Sequence, residues 1–296
     1  MSDARQIEAE IYERLSKVID PELGRSVTDL GMIAAIEATP ADANVDTDAY
    51  DVTVHVELTV PGCPLSETIT NQINGAVSSY PGAQLNTHIE VGSMSRDKLA
   101  DLVADLKAER KQNPFSKPGV KTRIFAIASG KGGVGKSSVT ANLAATFAAL
   151  GYDTAAIDAD IYGFSLPRLF GVHTQPTNLN GMLMPVTAWG VKLISIGMFA
   201  GADRAILWRG PRLQRSLEQF LSDVWWGEPD VLLLDLAPGT GDMAISVAQA
   251  LPNAELVVVT TPQPSASDIA VRSGLVALQV PMKVRGVVAV SYTHLR

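Results

Sequence analysis

The stretch Ser129–Ser138, SGKGGVGKSS, decides the fold of this chain. It fits the phosphate-loop pattern G-x-x-x-x-G-K-[ST] through Gly130, Gly135, Lys136 and Ser137. The apolar run IFAIAS leads into it and a helical pattern follows, so the loop is predicted to join a strand to a helix. The alternative is a glycine-rich turn that matches by chance, and the strand–loop–helix context argues against it.

Each part of this loop has a predicted role in binding the phosphates of ATP. Glycines let backbone N–H groups close around phosphate oxygens, and the helix N-terminus adds its dipole. Lys136 is expected to reach the β- and γ-phosphates, and the Ser137 hydroxyl is expected to ligate Mg²⁺. The predicted nucleotide-binding residues of the loop are Gly130, Lys131, Gly132, Gly133, Val134, Gly135, Lys136, Ser137 and Ser138.

Acidic residues close two other apolar runs in the same half of the chain. Asp235 ends VLLLD, where a carboxylate is expected to hold Mg²⁺ directly or through water. Gly239 and Gly241 lie in the following loop and suit a mobile segment near the γ-phosphate. Asp158 and Asp160 close AAIDAD, and Asp160, which lies further out, is the better candidate for orienting the attacking water. The alternative for both is that they cap the next helix.

Apolar runs separated by helical patterns predict the architecture of residues 121–296. The strand-like runs are RIFAIAS, DTAAIDAD, DVLLLDLA, AELVVVTT and RGVVAV. Continuous apolar strands that alternate with helices indicate an α/β fold, here a P-loop NTPase parallel sheet with helices on both faces. Ligands bind such sheets at the carboxyl ends of the strands, which is where the loop and the aspartates fall.

The residues before this domain follow another pattern. Ile7, Ile11, Leu15 and Val18 recur at helical spacing, and DVTVHVELT alternates as a half-buried strand does. This indicates a small α+β domain, followed by a further amphipathic helix and the proline-containing linker NPFSKPG. The predicted division is an α+β domain at 1–92, a helical stalk and linker at 93–120, and the NTPase domain at 121–296.

Composition narrows the classes of function. The chain has 296 residues and a formal net charge of −7, which argues against a nucleic-acid or membrane-surface binder. The charged, helical-looking N-terminus does not predict a secretory signal. A single cysteine, Cys63, rules out an intrachain disulfide and favours the cytoplasm. The four histidines lack metal-ligand spacing to one another or to Cys63, so no zinc site is predicted.

Lys131 is a second lysine that the phosphate-loop pattern does not require. The segment KGGVGK[ST] resembles the deviant Walker A loop of the MinD/ParA, arsenical-pump and nitrogenase iron-protein class. That resemblance implies that Lys131 reaches across a homodimer to the partner's nucleotide. A cation there stabilises the charge on the transferring phosphoryl group, so hydrolysis depends on assembly. Lys131, Lys136 and Asp160 form the predicted catalytic set.

Three further segments resemble the Mrp/ApbC family of iron–sulfur cluster carrier ATPases. They are DADIYGFSLPRLFG at Asp158–Gly171, LWRGPRL at Leu207–Leu213 and DLAPGTGD at Asp235–Asp242. MinD and ParA proteins do not carry the last two, and Ala237 stands where the family usually has proline. In front, VIDPELGRSVTDLGMI and LTVPGCPLSETI resemble the MIP18/PaaD-like cluster-assembly domain, which bacterial Mrp proteins commonly carry at this position.

The resemblance implies an ATP-hydrolysing carrier that transfers iron–sulfur clusters, expected to be [4Fe-4S], to apo-proteins. Its implied partners are a second copy of the chain, the apo client proteins and a cluster scaffold. One alternative is a MinD/ParA-like positioning ATPase, which would need a basic patch or a C-terminal membrane helix. Another is a binding or scaffold module without a competent ATPase, and nucleotide turnover would separate it from the carrier.

Cys63 has a physical interpretation of its own. It precedes Pro64, and proline favours the first position of a helix. The helix dipole would stabilise a thiolate there, which suits iron, a cluster or a persulfide. The alternative is a small buried cysteine packed in a turn. Asp20, Glu22 and Asp29 are candidates to join it, and each is equally a candidate cap.

The end of the sequence departs from the Mrp/ApbC pattern. After RGVVAV the family normally reads VVENMS, with an asparagine that contacts adenine, and a C-x-x-C pair follows whose thiolates bridge a cluster between subunits. This chain instead reads VSYTHLR, which resembles no part of the family. The expectation is that family sequence stops near Ala289 and that foreign or frame-shifted sequence follows.

Overall fold

The computed structural model of the protein describes residues 2–41, 49–59, 66–108, 113–117, 119–160, 163–199, 210–239, 242–278 and 282–291. The chain divides into two compact units, residues 1–108 and 109–296. The helix Arg96–Ala108, which lies in the predicted stalk, belongs to the first unit and buries Val103 and Leu106.

The first unit is a small α+β fold. Its elements are α1 (Ser2–Leu15), β1 (Ile33–Pro40), β2 (Ala49–Leu58), α2 (Ser66–Ser78), β3 (Gln84–Ser93) and α3 (Arg96–Ala108). The sheet has the order β1-β2-β3, with β1 antiparallel and β3 parallel to the central strand. The alternation predicted for β2 is confirmed, because Val52, Val54, Val56 and Leu58 are buried and the residues between them are not.

The second unit carries a seven-stranded sheet. Its helices are a short 3₁₀ turn at Pro114–Ser116, α4 (Lys136–Ala149), α5 (Leu166–Leu169), a 3₁₀ turn at Ile196–Met198, α6 (Gly210–Ser222), α7 (Asp242–Ala250) and α8 (Pro264–Leu278). The strands of the unit are β4 (Arg123–Ser129), β5 (Thr154–Ala159), β6 (Thr177–Leu179), β7 (Met182–Met184), β8 (Val186–Ala188), β9 (Val191–Ser195), β10 (Val231–Leu236), β11 (Glu255–Thr260) and β12 (Lys283–Ala289), of which β6 and β7 pair with each other outside the seven-stranded sheet. The sheet order is β12-β11-β4-β10-β5-β9-β8, and all neighbouring pairs are parallel except β8 with β9.

The sheet is covered on both faces, as the continuous apolar runs predicted. Alternate residues of β10 point to opposite sides: Leu232 and Leu234 join the core that contains α6 and α7, whereas Leu233 joins the core that contains α4 and α5. Since both sides of each central strand are buried, the strand needs apolar residues at nearly every position. The predicted α/β fold is therefore confirmed.

Four strands of this unit were not predicted. The strands β6, β7 and β8 have three residues each and β9 has five, so they offer little periodicity to detect. The strand β8 is antiparallel to β9 and forms one edge of the sheet.

Among the described residues, no helix is long and apolar enough to cross a membrane.

Candidate functional site

The glycine-rich loop joins the last residue of β4, Ser129, to the first residue of α4, Lys136, at the carboxyl edge of the sheet. Gly133 and Gly135 have φ angles of 78° and 90°, which favour glycine because other residues are strained there. Gly130 is needed for space: a Cβ atom at this position would lie 2.8 Å from the backbone carbonyl carbon of Ile269. The loop's backbone therefore depends on its glycines for two different reasons.

The remaining loop residues differ in exposure. Val134 is buried in the core that contains α4, and it anchors the middle of the loop. Gly132, Gly133 and Ser138 are exposed, so this part of the loop and the start of α4 are accessible to a ligand.

Asp235 is the centre of a hydrogen-bonded cluster beside this loop. It lies near the end of β10, which pairs in parallel with β4 and so brings the carboxylate to the same edge of the sheet. The Lys136 Nζ atom lies 2.7 Å from Asp235 Oδ1, and Ser137 Oγ donates to Oδ2 at 2.5 Å. Thr140 Oγ1 lies 2.9 Å from Asp235 Oδ1. The first five residues of α4 thus supply three donors to one carboxylate.

The Lys136–Asp235 pair is deeply buried, since the two side chains are 7% and 0% exposed. A buried carboxylate is costly without a compensating partner, so the ammonium group balances the charge of Asp235. The pair also shows that a cation fits beside this carboxylate. A hydroxyl and a carboxylate are oxygen ligands of the kind that Mg²⁺ prefers, usually with one or two carboxylates plus phosphate oxygens. Ser137 and Asp235 therefore fit a magnesium ion bound together with a nucleotide.

Asp158 lies beside Asp235, because the two residues are in register on the neighbouring parallel strands β5 and β10. Asp158 Oδ2 accepts hydrogen bonds from the backbone N–H groups of Ser165 at 2.9 Å and Leu166 at 3.0 Å, at the start of α5. Burial, followed by the negative charge of Asp235, raises the pKa of Asp158 to about 7. Asp158 thus has the hydrogen bonds of a helix cap, the alternative that the sequence left open.

Asp160 follows the last residue of β5 and is also buried. Its Oδ1 atom accepts a hydrogen bond from the backbone N–H of Gly163 at 2.9 Å, which closes a local turn. A Cβ atom on Gly163 would lie 3.0 Å from Asp160 Oδ2, so the chain passes close to this carboxylate. Asp160 is therefore held at the carboxyl edge of the sheet, two residues beyond Asp158.

Lys131 differs from Lys136 in its surroundings. Its side chain is half-buried, and within the described part of the chain it forms no ion pair. Its backbone carbonyl accepts a hydrogen bond from Ser129 Oγ at 3.0 Å, which ties the loop to the end of β4. Among the described residues, one lysine of the loop is thus paired with a carboxylate and the other is not.

The loop after β10 contacts the same point. The backbone N–H of Gly239 donates to the carbonyl of Ser129 at 3.0 Å, and its φ of 134° favours glycine. Gly241, which was predicted to serve the same loop, lies outside the described residues, as do Leu207, Trp208 and Arg209 of the WRGP segment.

A groove of about 410 Å³ runs beside the start of α4. It is lined by Gly135, Ser138, Val139, Asn142, Leu143, Thr146 and Val290. Val290 is held in place by its backbone N–H, which donates to the carbonyl of Thr260 at 2.8 Å. The groove is mostly apolar, and it begins at the phosphate loop, so it has the position and chemistry to receive a nucleobase.

In the first unit, Cys63 and Pro64 lie outside the described residues, and the thiolate role of Cys63 stays a prediction. Asp20 Oδ1 accepts hydrogen bonds from the N–H groups of Glu22 and Leu23, both at 2.8 Å, so it stabilises its own turn. Burial raises the pKa of Asp20, against the lowering effect of these two hydrogen bonds. Among the described residues, no group of three or more histidine, cysteine or acidic side chains is arranged to hold a metal ion.

Thr140 is not among the site residues that the sequence predicts. This residue is fully buried on α4, one helical turn after Lys136. Its signal in the sequence is the four-residue spacing from Lys136, which places both side chains on one face of a helix.

The chain matches two known protein families, one in each of its two units. The model of the family described as NUBPL iron-transfer P-loop NTPase matches residues 120–293, and that of a family described as iron-sulfur cluster assembly protein matches residues 8–91. The chain is 47% identical over 286 residues to an iron-sulfur cluster carrier protein of Mycobacterium bovis, covering 95% of this chain and 72% of the relative. A carrier protein of the same name from Bacillus subtilis is 34% identical over 281 residues, which cover 95% of this chain and 76% of the relative.

Among solved structures, a nucleotide-binding protein from Archaeoglobus fulgidus in complex with ADP is similar to this chain. The identity is 34% and the TM-score 0.50, over 62% of this chain and 69% of the other. The family matches and the curated relatives favour the carrier over the positioning ATPase. The chain belongs to the iron–sulfur cluster carrier family of P-loop NTPases.

Proposed function

We propose that this chain hydrolyses ATP in the presence of Mg²⁺ and, as a homodimer, carries iron–sulfur clusters to apo-proteins. The observation that carries the ATPase proposal is the cluster of Lys136, Ser137 and Asp235 at the end of a glycine-rich loop. A lysine, a hydroxyl and a carboxylate are the groups that bind phosphates and Mg²⁺ in P-loop NTPases.

Each residue of the site has a proposed role in hydrolysis. Lys136 leaves Asp235 and binds the β- and γ-phosphates, while backbone N–H groups of the loop surround the phosphate oxygens. Ser137 and Asp235 hold the magnesium ion, which when bound neutralises charge on the phosphate oxygens. Asp160 orients the attacking water, and Asp158 holds the segment that follows β5. Gly239 lets the loop after β10 approach the γ-phosphate.

The homodimer proposal concerns Lys131. This lysine lacks an ion-pair partner within the described part of its own chain, although it lies in the loop that binds phosphate. We place its ammonium group on the nucleotide of the second subunit, where it stabilises the charge that develops on the transferring phosphoryl group. Hydrolysis then requires two copies of the chain.

The carrier proposal rests on family membership and on Cys63. The chain has one cysteine, so a homodimer offers two thiolates, whereas iron–sulfur clusters are usually held by four. We therefore propose that Cys63 is one ligand of a cluster, [4Fe-4S] by analogy with the family, and that these 296 residues do not supply the complete ligand set. A cytoplasmic location fits a chain whose only thiol is needed in the reduced state.

Phosphate release from ATP tests the ATPase proposal. Release by the wild-type chain should require Mg²⁺, should stop in EDTA, and should be lost in Asp235→Asn. A chain that binds ATP and Mg²⁺ but releases no phosphate at any protein concentration would contradict it and would favour a scaffold module without ATPase activity.

Anaerobic reconstitution with iron and sulfide tests the carrier proposal. We expect no stable cluster on the isolated chain, and we expect transfer from a loaded scaffold to an apo-protein to slow in Cys63→Ser. Two results would count against this assignment of ligands. One is equal transfer by both proteins, and the other is a stable cluster on the isolated chain that Cys63→Ser abolishes.

A further inference from the structure

Thr140 contributes a hydrogen bond to Asp235 that no nucleotide or metal role explains. The residue is 0% exposed, and its Oγ1 atom lies 2.9 Å from Asp235 Oδ1 and 3.0 Å from the carbonyl oxygen of Lys136. A threonine hydroxyl has one proton, so it donates to one of these acceptors at a time. The carboxylate forms the stronger bond because it is charged.

The other two partners of Asp235 have a second task in the proposed function. Lys136 is to bind the phosphates, and Ser137 is to ligate the metal. Once both have turned to these tasks, the Thr140 hydroxyl is the remaining described donor to Asp235 Oδ1. The Asp235 side chain is fully buried, so it needs such a donor to hold one oxygen in place while the other faces the metal.

We infer that Thr140 is a positioning residue, which orients the Asp235 carboxylate for a divalent cation bound with the nucleotide. This inference rests on the proposed function, and it adds a residue that acts on the metal through Asp235. The competing explanation is a local bond: threonine hydroxyls inside helices often donate to the carbonyl four residues earlier. In that case Thr140 would matter for packing and not for the metal.

Two substitutions separate these explanations. Thr140→Val keeps the shape of the side chain and removes the hydroxyl, whereas Thr140→Ser keeps the hydroxyl and removes the methyl group. Thr70→Val is a matched control, because Thr70 Oγ1 donates to the carbonyl of Ser66 at 2.8 Å in helix α2 and is bonded to no carboxylate there. Melting temperatures report whether each variant is folded.

The measurement is the affinity of Mn²⁺ for the protein with saturating ADP, obtained from the EPR signal of free Mn²⁺, with ADP affinity in EDTA measured in parallel. Removing a partner that orients a metal ligand typically weakens metal binding by about 10- to 100-fold, and this is the loss expected for Thr140→Val. Thr140→Ser and Thr70→Val should bind Mn²⁺ as the wild type does. ADP affinity in EDTA should be the same in all four proteins.

A double substitution adds a second measurement that does not depend on the single variant alone. If the hydroxyl acts through Asp235, Thr140→Val should cause no further loss of Mn²⁺ affinity in an Asp235→Asn background. Unchanged Mn²⁺ affinity in Thr140→Val, or a loss in Thr140→Ser as large as in Thr140→Val, would overturn the inference. Failure of the wild-type chain to bind ADP at all would instead overturn the proposed function, and the inference with it.

Discussion

Asp235 and Asp158 lie side by side in register on β10 and β5, and both are fully buried. Asp235 is surrounded by side chains, one of them a lysine, that come from the start of α4. Asp158 is surrounded by backbone N–H groups, with Ser165 and Leu166 as the closest donors. A side-chain partner can move to a ligand, but a backbone N–H moves only with its segment. The first aspartate is thus suited to exchanging partners, and the second to holding a loop.

The largest effect is expected when Lys136, the cation paired with Asp235, is replaced. Lys136→Ala should abolish nucleotide binding, because the phosphates lose their main cation. It should also destabilise the fold by about 3–5 kcal/mol, since it leaves a buried carboxylate without its partner. Calorimetric titration with ATP and urea unfolding measure the two effects.

Lys136→Ala/Asp235→Asn separates these two consequences. Neutralising the carboxylate should restore most of the lost stability but none of the nucleotide binding. Tight ATP binding in Lys136→Ala would break the comparison, because Lys136 would then be only the partner of Asp235.

A smaller effect is expected for Lys131, which forms no ion pair with the described residues of its own chain. Lys131→Ala should leave nucleotide binding intact and should lower turnover by about 100- to 1,000-fold, the usual loss when one charge-stabilising donor is removed. Turnover of the wild type should rise with protein concentration, and the residual turnover of the variant should not. Wild-type rates in Lys131→Ala across concentrations would exclude a role in the second subunit.

The smallest effect is expected for Asp158, whose proton makes the free energy of unfolding depend on pH. Its pKa is raised from 3.8 to about 7, so the folded protein binds this proton more tightly than the unfolded chain does. The protonated Asp158 therefore stabilises the fold fully below about pH 4, and this contribution is lost as the pH rises towards 7. Asp158→Asn cannot titrate, so its free energy of unfolding should rise relative to the wild type by about 2 kcal/mol between pH 5 and pH 7. Urea unfolding at several pH values measures the difference, and parallel pH profiles for the two proteins would contradict the assignment.

The parts of the fold that the sequence predicts well are those where neighbouring residues carry the signal. The loop before Lys136 and the apolar runs of β4 and β10 are local patterns, and parallel pairing then brings Asp235 to the loop. Thr140 is different. The spacing from Lys136 places it on the same face of α4, but its partner Asp235 lies 95 residues further along the chain, and that spacing does not reveal the partner. Asp158 is a third case. A carboxylate at a strand end suits both catalysis and capping, and only the positions of Ser165 and Leu166 show which backbone groups it binds.

Gly130 has a consequence for transplanting this loop into another protein. Glycine is required there because the backbone of Ile269, on α8, leaves no room for a side chain, and the φ angle is not the reason. The eight-residue motif therefore has to be transplanted together with helix α8, whose Ile269 lies 139 positions after Gly130 in the sequence. A scaffold whose last helix sits further from the sheet would tolerate alanine at this position.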